Sequence, residues 1–583
     1  MRRRPVVPLS AEFERFLRQL SLLWALAAIV GLELADGVGL LDHRPGFAAY
    51  EMTARPVFLA GFAIGAVSAL RWLLLGGLIA TTTAAAMTAW YLHQLEPRSV
   101  VAVVVGFAAP GVAWLLLDLH DRVVRRAVFG IALAGIGTVV GFAVGTATWD
   151  GLFGATHPAS AARTPAGSRV DWIWTGAVTA DTATVVAAPA DSGAWDVIVD
   201  TGDGRPPARI PAMRSGRVVR AELTGLDAGT RYSLRVVGRG EPPSAGVDEA
   251  TLRTVAEDDA DVTVVFGSCM RTGSNGAVFD TIAALEPDLF VEAGDVHYGN
   301  IDSNDPDEFR DVLDVVLSRP GPSNLFRTTP IAYVWDDHDY GANNADASSP
   351  SRPAVMEVYR EYVPHHPLAG PEAPIFQAFD VGAVRVVLTD VRSARRPGRT
   401  MLGEEQLRWL EHELLESHRT RALTIWVSPV GWIGGSTEGG DAWDGFDDER
   451  RRLADFVADN GIDRLVMVTG DAHMVAIDDG TNSGYAADGG RGFPVLNAAA
   501  LDRPGAVKGG PYSEGTYPGG GQFGVVEVSP TDDGVLVRLS GRDWTGATLV
   551  SYEREFRVPA EVPIRPGSTD GPPQLTRRAV PSQ

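Results

Sequence analysis

The chain has 583 residues, too many for one compact domain, so two or three globular units with additional segments are expected. A formal net charge of -22 argues against a nucleic-acid binder, which needs a basic face. The single cysteine, Cys269, excludes an intramolecular disulfide, and in an exported protein a lone thiol is a liability unless it is buried or ligating.

Residues 1–155 read as an α-helical membrane module. Apolar runs lie near Leu20–Leu34, Val57–Leu70, Trp72–Leu92, Val100–Leu119 and Val128–Thr148. A span needs about 20 apolar residues, so about five spans are expected, the short second one forming a tight hairpin with the third or, alternatively, a re-entrant segment. Arg2, Arg3, Arg4, Arg15 and Arg18 precede the first run, Arg71 lies in the hairpin, and Arg122, Arg125 and Arg126 lie between the fourth and fifth. The positive-inside rule then places the N-terminus in the cytoplasm and everything after the fifth span outside a multi-pass cell-membrane protein. Glu33 and Asp36 are the plainest charges within the runs, so the module reads as an anchor in the lipid bilayer rather than a transporter.

Residues 156–167 are Ala/Ser/Thr/Pro/Gly-rich and read as a linker. Over 168–256, short alternating segments (VDWIWTG, TATVVAA, WDVIVD, RVVRAEL, YSLRVVG) separated by turn residues predict a β-sandwich. The stretch LTGLDAGTRYSLRV, Leu223–Val236, resembles fibronectin type III-like domains; nothing in the segment looks catalytic, so a spacer or lid edge is expected. Over 257–560 the pattern becomes α/β. Strand-like runs at Val262–Phe266, Leu289–Val291, Ile331–Trp335, Val384–Thr389, Leu423–Val427 and Arg464–Val468 alternate with helical patterns near Asp307–Leu317, Ala354–Tyr362, Glu404–Glu416 and Asp448–Asp459. Three closing antiparallel strands are expected at Phe523–Val528, Val535–Leu539 and Ala547–Val558, and residues 561–583 read as a disordered tail.

The chemistry lies at strand ends. The run Val262–Phe266 stops at Gly267-Ser268-Cys269, an amphipathic stretch follows, and Leu289–Val291 stops at Gly294-Asp295. Two strands joined by a helix form a βαβ unit whose strand ends lie side by side, so Cys269, Asp295 and Tyr298 meet at one rim. PIAYVWDDHDYGANN places Asp336, Asp337, His338 and Asp339 after another strand, with Asn343 a short turn on. RLVMVTGDAHM does the same with Asp471 and His473, and VRVVLTDVRSARR with Asp390 and Arg392. Ligands of open α/β sheets sit beyond the carboxyl ends of the strands. A Gly-Asp strand end taken alone is often a turn or cap, and a single His is more often a surface group than a ligand. Together, thiolate, phenolate, carboxylate and imidazole donors point to a metal centre, with iron the leading ion.

The motifs SCM at Ser268–Met270, GDVHYG at Gly294–Gly299, WDDHDYGANN at Trp335–Asn344, GDAH at Gly470–His473, and LTDVRSAR followed by LGEEQLRWL resemble the PhoD-like metallophosphatases, the alkaline phosphatase D family. The resemblance implies a four-layer αββα calcineurin-like phosphoesterase core, Fe3+ and Ca2+ as cofactors (or two divalent ions), and a phosphate ester substrate. It assigns Cys269, Asp295, Tyr298, Asp337, Asn343, Asp471 and His473 as metal ligands and His338 as the histidine that meets the scissile phosphate. A metal-activated hydroxide would attack phosphorus in line. Arg392 would clamp a phosphate oxygen, an ion pair with Asp390 or Glu404 being the plainer alternative. The expected function is therefore an outward-facing, membrane-anchored phosphatase or phosphodiesterase. The alternatives are a phospholipid or cell-envelope polymer phosphodiesterase and a non-catalytic membrane sensor or transporter.

Overall fold

The computed structural model describes residues 19, 54–69, 73–91, 108, 111–112, 169–242, 249–256, 260–274, 276–370, 373–435, 440–503 and 505–559. The chain forms two compact units, Met1–Ala155 and Thr156–Gln583. In the first, helices Ala54–Ala69 and Leu73–Tyr91 pack on each other through small residues. A Cβ at Gly65 would lie 2.9 Å from Ala80, and one at Gly76 would lie 2.4 Å from Ala69. Among the described residues no helix is long and apolar enough to cross a membrane. The first helix has 16 residues and spans about 24 Å, short of the roughly 30 Å hydrocarbon layer. The second carries Thr81, Thr82 and Thr83 at its middle, Thr81 turning its hydroxyl back to the Gly77 carbonyl at 2.7 Å. The crossings expected at Val57–Leu70 and Trp72–Leu92 are therefore not supported by the described helices. The other three expected runs, the 156–167 linker and the 561–583 tail lie outside the described residues, apart from isolated positions in the runs.

The second unit begins with seven strands: β1 Val170–Gly176, β2 Thr182–Pro189, β3 Trp195–Asp200, β4 Ala208–Ser215, β5 Val218–Thr224, β6 Arg231–Gly238 and β7 Glu249–Arg253. Strands β1, β2 and β5 pair antiparallel, as do β3, β6 and β7, and β4 pairs with both β3 and β5. Apolar side chains of both sets, among them Ile173, Val185, Val219, Val197, Leu234 and Leu252, share one core. These strands are not a detached spacer. Gly176 of β1 pairs in parallel with Ile331, Trp172 and Trp174 are fully buried, and Trp172 Nε1 donates to Asp314 at 2.9 Å. The Trp174 ring lies 4.9 Å from Phe326. One face of β1 therefore belongs to the core of the following domain.

That domain contributes β8 Val262–Gly267, β9 Leu289–Ala293 and β10 Ile331–Val334, all parallel, to the same 13-stranded sheet. A second, seven-stranded sheet contains β11 Gln377–Val381, β12 Val384–Leu388, β13 Leu423–Ser428, β14 Leu465–Thr469, β15 Met474–Asp478, β16 Val495–Ala498 and β17 Gly515–Pro518. Its middle strands, β12, β13, β14 and β16, are parallel neighbours. Strands β18 Gln522–Thr531, β19 Gly534–Asp543 and β20 Thr548–Arg557 return to the first sheet as an antiparallel set, with β18 pairing antiparallel against β8. Side chains of the second sheet alternate, as the two-residue period of a strand requires. Val386, Leu388, Ile425, Val427, Val466 and Val468 enter the core shared with the first sheet. Val387, Trp426 and Met467 enter another, with Leu407, Leu410 and Leu414 of helix Gly403–Thr420 and Leu453 of helix Asp447–Asp459. The parallel strands of both sheets end at one rim.

Candidate metal centre

Strand β8 runs into Ser268-Cys269, β9 into Gly294-Asp295, β10 into Trp335–His338, and β14 into Gly470-Asp471. The first two turns are stitched together: Cys269 N donates to the Gly294 carbonyl at 3.1 Å and Met270 N to the Asp295 carbonyl at 2.7 Å. The turns approach so closely that side chains are excluded. A Cβ at Gly294, where φ is +101°, would lie 2.6 Å from Asp336 Cβ, and one at Gly470 would lie 2.6 Å from the Ala293 carbonyl. Among the described residues, eight non-glycine residues have positive φ, and six of them lie here: Cys269, Asp295, Asn300, Asn344, Asp471 and His473. Left-handed backbone costs such residues about 1–3 kcal/mol each and persists where the surroundings over-determine it.

The turns bring most of the predicted residues together. Ligand atoms of Asp295, Asp337 and His338 lie within 4.8 Å of one another. Cys269 Sγ is 3.7 Å from Asp295 Oδ2, and the Tyr298 hydroxyl is 3.3 Å from His473 Nε2. The Tyr298 ring also lies 4.2 Å from that of His338. Asp471 stands at the mouth, its Oδ1 accepting from Lys508 Nζ at 2.7 Å. Asn343 is exposed in the turn after the 337–340 helix, whose neighbour Asn344 donates its backbone N–H to Asp337 Oδ2 at 2.6 Å.

Arg392 is placed differently from the rest. It is fully buried behind the cluster, donating from Nε to Asp336 Oδ1 at 2.6 Å and from both terminal nitrogens to Asp441 at 2.9 and 2.8 Å. Neither partner is one of those expected from the sequence, Asp390 and Glu404. Asp390 instead accepts from Trp335 Nε1 and the Ser393 hydroxyl. Asp339 clamps the site from below, its two oxygens accepting from Asp336 N, Val296 N and the Tyr333 hydroxyl.

Carboxylates outnumber cations in the cluster. Burial, then Asp337, Asp336, Asp339 and Asp471, push the Asp295 carboxyl far above the carboxylate range. Burial with Asp295 and Asp471 raises the Cys269 thiol, and burial with Asp295 and Cys269 raises the Tyr298 phenol. Burial opposes the Asp337 charge too, but His338, Arg392 and the Asn344 N–H outweigh it and hold that carboxyl low. Burial depresses the His338 imidazole. Among the described residues, Asp295 Oδ1 and Asp336 Oδ2 are buried without a hydrogen-bond partner. Orphaned carboxylate oxygens beside a thiol and phenol forced neutral are what a polyvalent cation would relieve, because its charge deprotonates such donors. The residues fit a metal.

Residues 264–496 match the family described as PhoD-like phosphatase. The chain is similar to alkaline phosphatase D of Bacillus subtilis (strain 168), 24% identical over 310 residues, which is 44% of this chain and 53% of that protein. It thus spans about half the length of that relative. A solved structure described as that of PhoD superimposes with a TM-score of 0.56 at 18% identity, covering 67% of this chain and 91% of that one, and establishes the likeness of fold alone. The matched segment contains every candidate site residue read from the sequence, from Cys269 to His473.

Four groups of the site escaped the sequence reading. Asn300 Oδ1 lies 2.5 Å from His338 Nδ1. Asp441 pairs with Arg392 and also accepts from Arg395 at 2.7 Å. Asn300 and Asp441 occupy loops without a pattern that marks them, whereas Arg395 closes the LTDVRSAR motif. Lys508 had a visible signal, since it is the sole lysine among 51 basic residues.

Proposed function

We propose that the chain is a metal-dependent hydrolase of phosphoric esters, a phosphatase or phosphodiesterase. The observation that carries this reading is the meeting of Cys269, Asp295, Tyr298, Asp337, His338 and His473 in one buried, charge-deficient cluster at the ends of parallel strands. Cys269, Asp295 and Tyr298 would hold a ferric ion, as thiolate and phenolate suit it, and the oxygen donors of Asp337, Asp471 and Asn343 would suit calcium. Two divalent ions are the alternative occupancy. Bound cations would neutralise charge developing on phosphorus and lower the pKa of the attacking water.

The chain's own residues do the rest. His338, beside Asp337 and Tyr298, donates a proton or hydrogen bond to the leaving oxygen, and Asn300 holds its ring in place. Arg392, already engaged by Asp336 and Asp441, serves as a positioning residue for the Asp336-Asp337 turn rather than a phosphate clamp. Burial of the cluster keeps bulk water from competing with the aimed donors.

The same reading treats the two sheets and their flanking helices as a four-layer αββα core and strands β1–β7 as a fibronectin type III-like sandwich; the alternation of core side chains and the strand pairing support both. It also places the catalytic unit outside the cell, held at the membrane by the N-terminal segment. The apolar runs and the arginine distribution in the sequence support that placement, and protease accessibility in intact cells tests it.

Asp337→Ala and Cys269→Ser are each expected to abolish hydrolysis of a mono- and diester panel and to lower bound iron or calcium by elemental analysis. Unchanged turnover in both variants refutes the assignment.

A further inference from the structure

Of the 51 lysine and arginine residues, one is a lysine, and it lies at the candidate metal centre. Lys508 Nζ is 2.7 Å from Asp471 Oδ1, and its side chain is 51% exposed against 15% for Asp471. The ammonium therefore stands at the mouth of the cluster, between solvent and a predicted metal ligand. The backbone holds it there: Ala506 N donates to the His473 carbonyl at 3.0 Å, and Gly510 N to the Ile433 carbonyl at 3.1 Å. Gly509 and Gly510, with φ of +70° and +98°, turn the chain immediately afterwards.

Other cations at the rim already have partners. Arg392 is held by Asp336 and Asp441, Arg395 by Asp441, and Arg503 lies 4.0 Å over the face of Tyr298. The partner of Lys508 is a carboxylate that, once it ligates a cation, no longer needs an ammonium beside it. An ammonium on a flexible four-carbon stem can then follow a tetrahedral oxyanion, whereas a guanidinium presents a fixed planar fork. That difference accounts for one lysine at this position in a chain that otherwise uses arginine throughout.

We propose that Lys508 is a substrate-positioning residue whose ammonium leaves Asp471 to donate to a nonbridging oxygen of the substrate's phosphoryl group. This rests on the phosphoric-ester reading above. The competing account is a structural clasp, in which the Lys508–Asp471 pair only fastens the 505–510 segment.

The test uses the metal-loaded full-length protein and inorganic phosphate as the probe, so that binding is read without turnover. By calorimetry, Lys508→Ala is expected to weaken phosphate binding by about tenfold or more, the worth of one charge-assisted hydrogen bond, with Lys508→Arg recovering part of the loss. Iron and calcium content should not change. A loss under about fivefold, or one matched by a fall in metal content, overturns the proposal, since an exposed clasp is worth less than that. Because the chain has one lysine, acetylation at Lys508 can be followed by peptide mass, and saturating phosphate should slow it; an unchanged rate also overturns the proposal. If Asp337→Ala and Cys269→Ser retain full turnover while Lys508→Ala still loses phosphate, the site assignment fails and the anion contact stands. Wild-type protein that binds no phosphate overturns both.

Discussion

Arg392 offers the sharpest test of how the site is held. Its guanidinium is fully buried, Asp336 is 1% exposed, and Asp441 is 23% exposed. Arg392→Met keeps most of the volume but leaves Asp336 without its cation, while Asp441 retains Arg395. Removing one partner of a buried ion pair costs about 3–5 kcal/mol. Melting entropy over roughly 400 residues is about 0.8 kcal/mol per degree, so the melting temperature should fall by about 4–6 °C. Scanning calorimetry of the full-length protein reads this directly, and adding Asp336→Asn should restore part of the loss because the uncompensated carboxylate is gone. A single variant that melts within about 1 °C of wild type would show that Arg392 does not compensate the buried charges. An unchanged melting temperature with a raised KM for ester would instead make Arg392 the phosphate clamp expected from its motif.

Three further outcomes follow from the packing and the buried groups. Gly294→Ala combines a φ of +101° with a Cβ 2.6 Å from Asp336, so it should lower both melting temperature and metal content; wild-type metal loading would show that the turns tolerate separation. Trp174→Ala should destabilise by about 3–5 kcal/mol and open the sandwich–core junction to limited proteolysis, since Trp174 is a core residue there; a wild-type digestion pattern would mean the two pack independently. His366 is stacked 4.0 Å from Phe379, and burial pushes its imidazole from 6.5 down to about 3. The unfolded chain takes up a proton that the folded one refuses, so this contribution is present above about pH 6.5 and is lost on acidification at about 1.4 kcal/mol per pH unit. In urea titrations between about pH 6 and 4, His366→Phe should flatten the slope by about one proton, and an identical slope would remove His366 from the acid response.

Much of the domain that follows the sandwich is legible locally. The runs at Val262–Phe266 and Leu289–Val291 are strands within two residues of their read ends, and Leu407, Leu410 and Leu414 of helix Gly403–Thr420 are buried. Each signal is contained in its own segment: an apolar run bounded by Gly-Ser or Gly-Asp, or a 3.6-residue period. Where the segment misleads, tertiary contact decides. Helix Pro320–Thr328 opens Pro-Gly-Pro, which alone reads as a turn, yet Pro suits the first helical turn and Gly321 lets Phe279 pack closely. Strand β4, ARIPAMRS, is mostly exposed and turns only Ile210 and Ala212 to the sandwich core, because its place between β3 and β5 rests largely on backbone pairing.

The sequence by itself determined which donor types end which strands, and a βαβ connection has one hand, so the meeting of Cys269, Asp295 and Tyr298 could be deduced. It could not determine which opposite charge each side chain would find. Asp441 lies 49 residues from Arg392, and Lys508 37 from Asp471. Ion pairs at such separations follow from how loops pack over the rim, and loops carry no periodicity that records it.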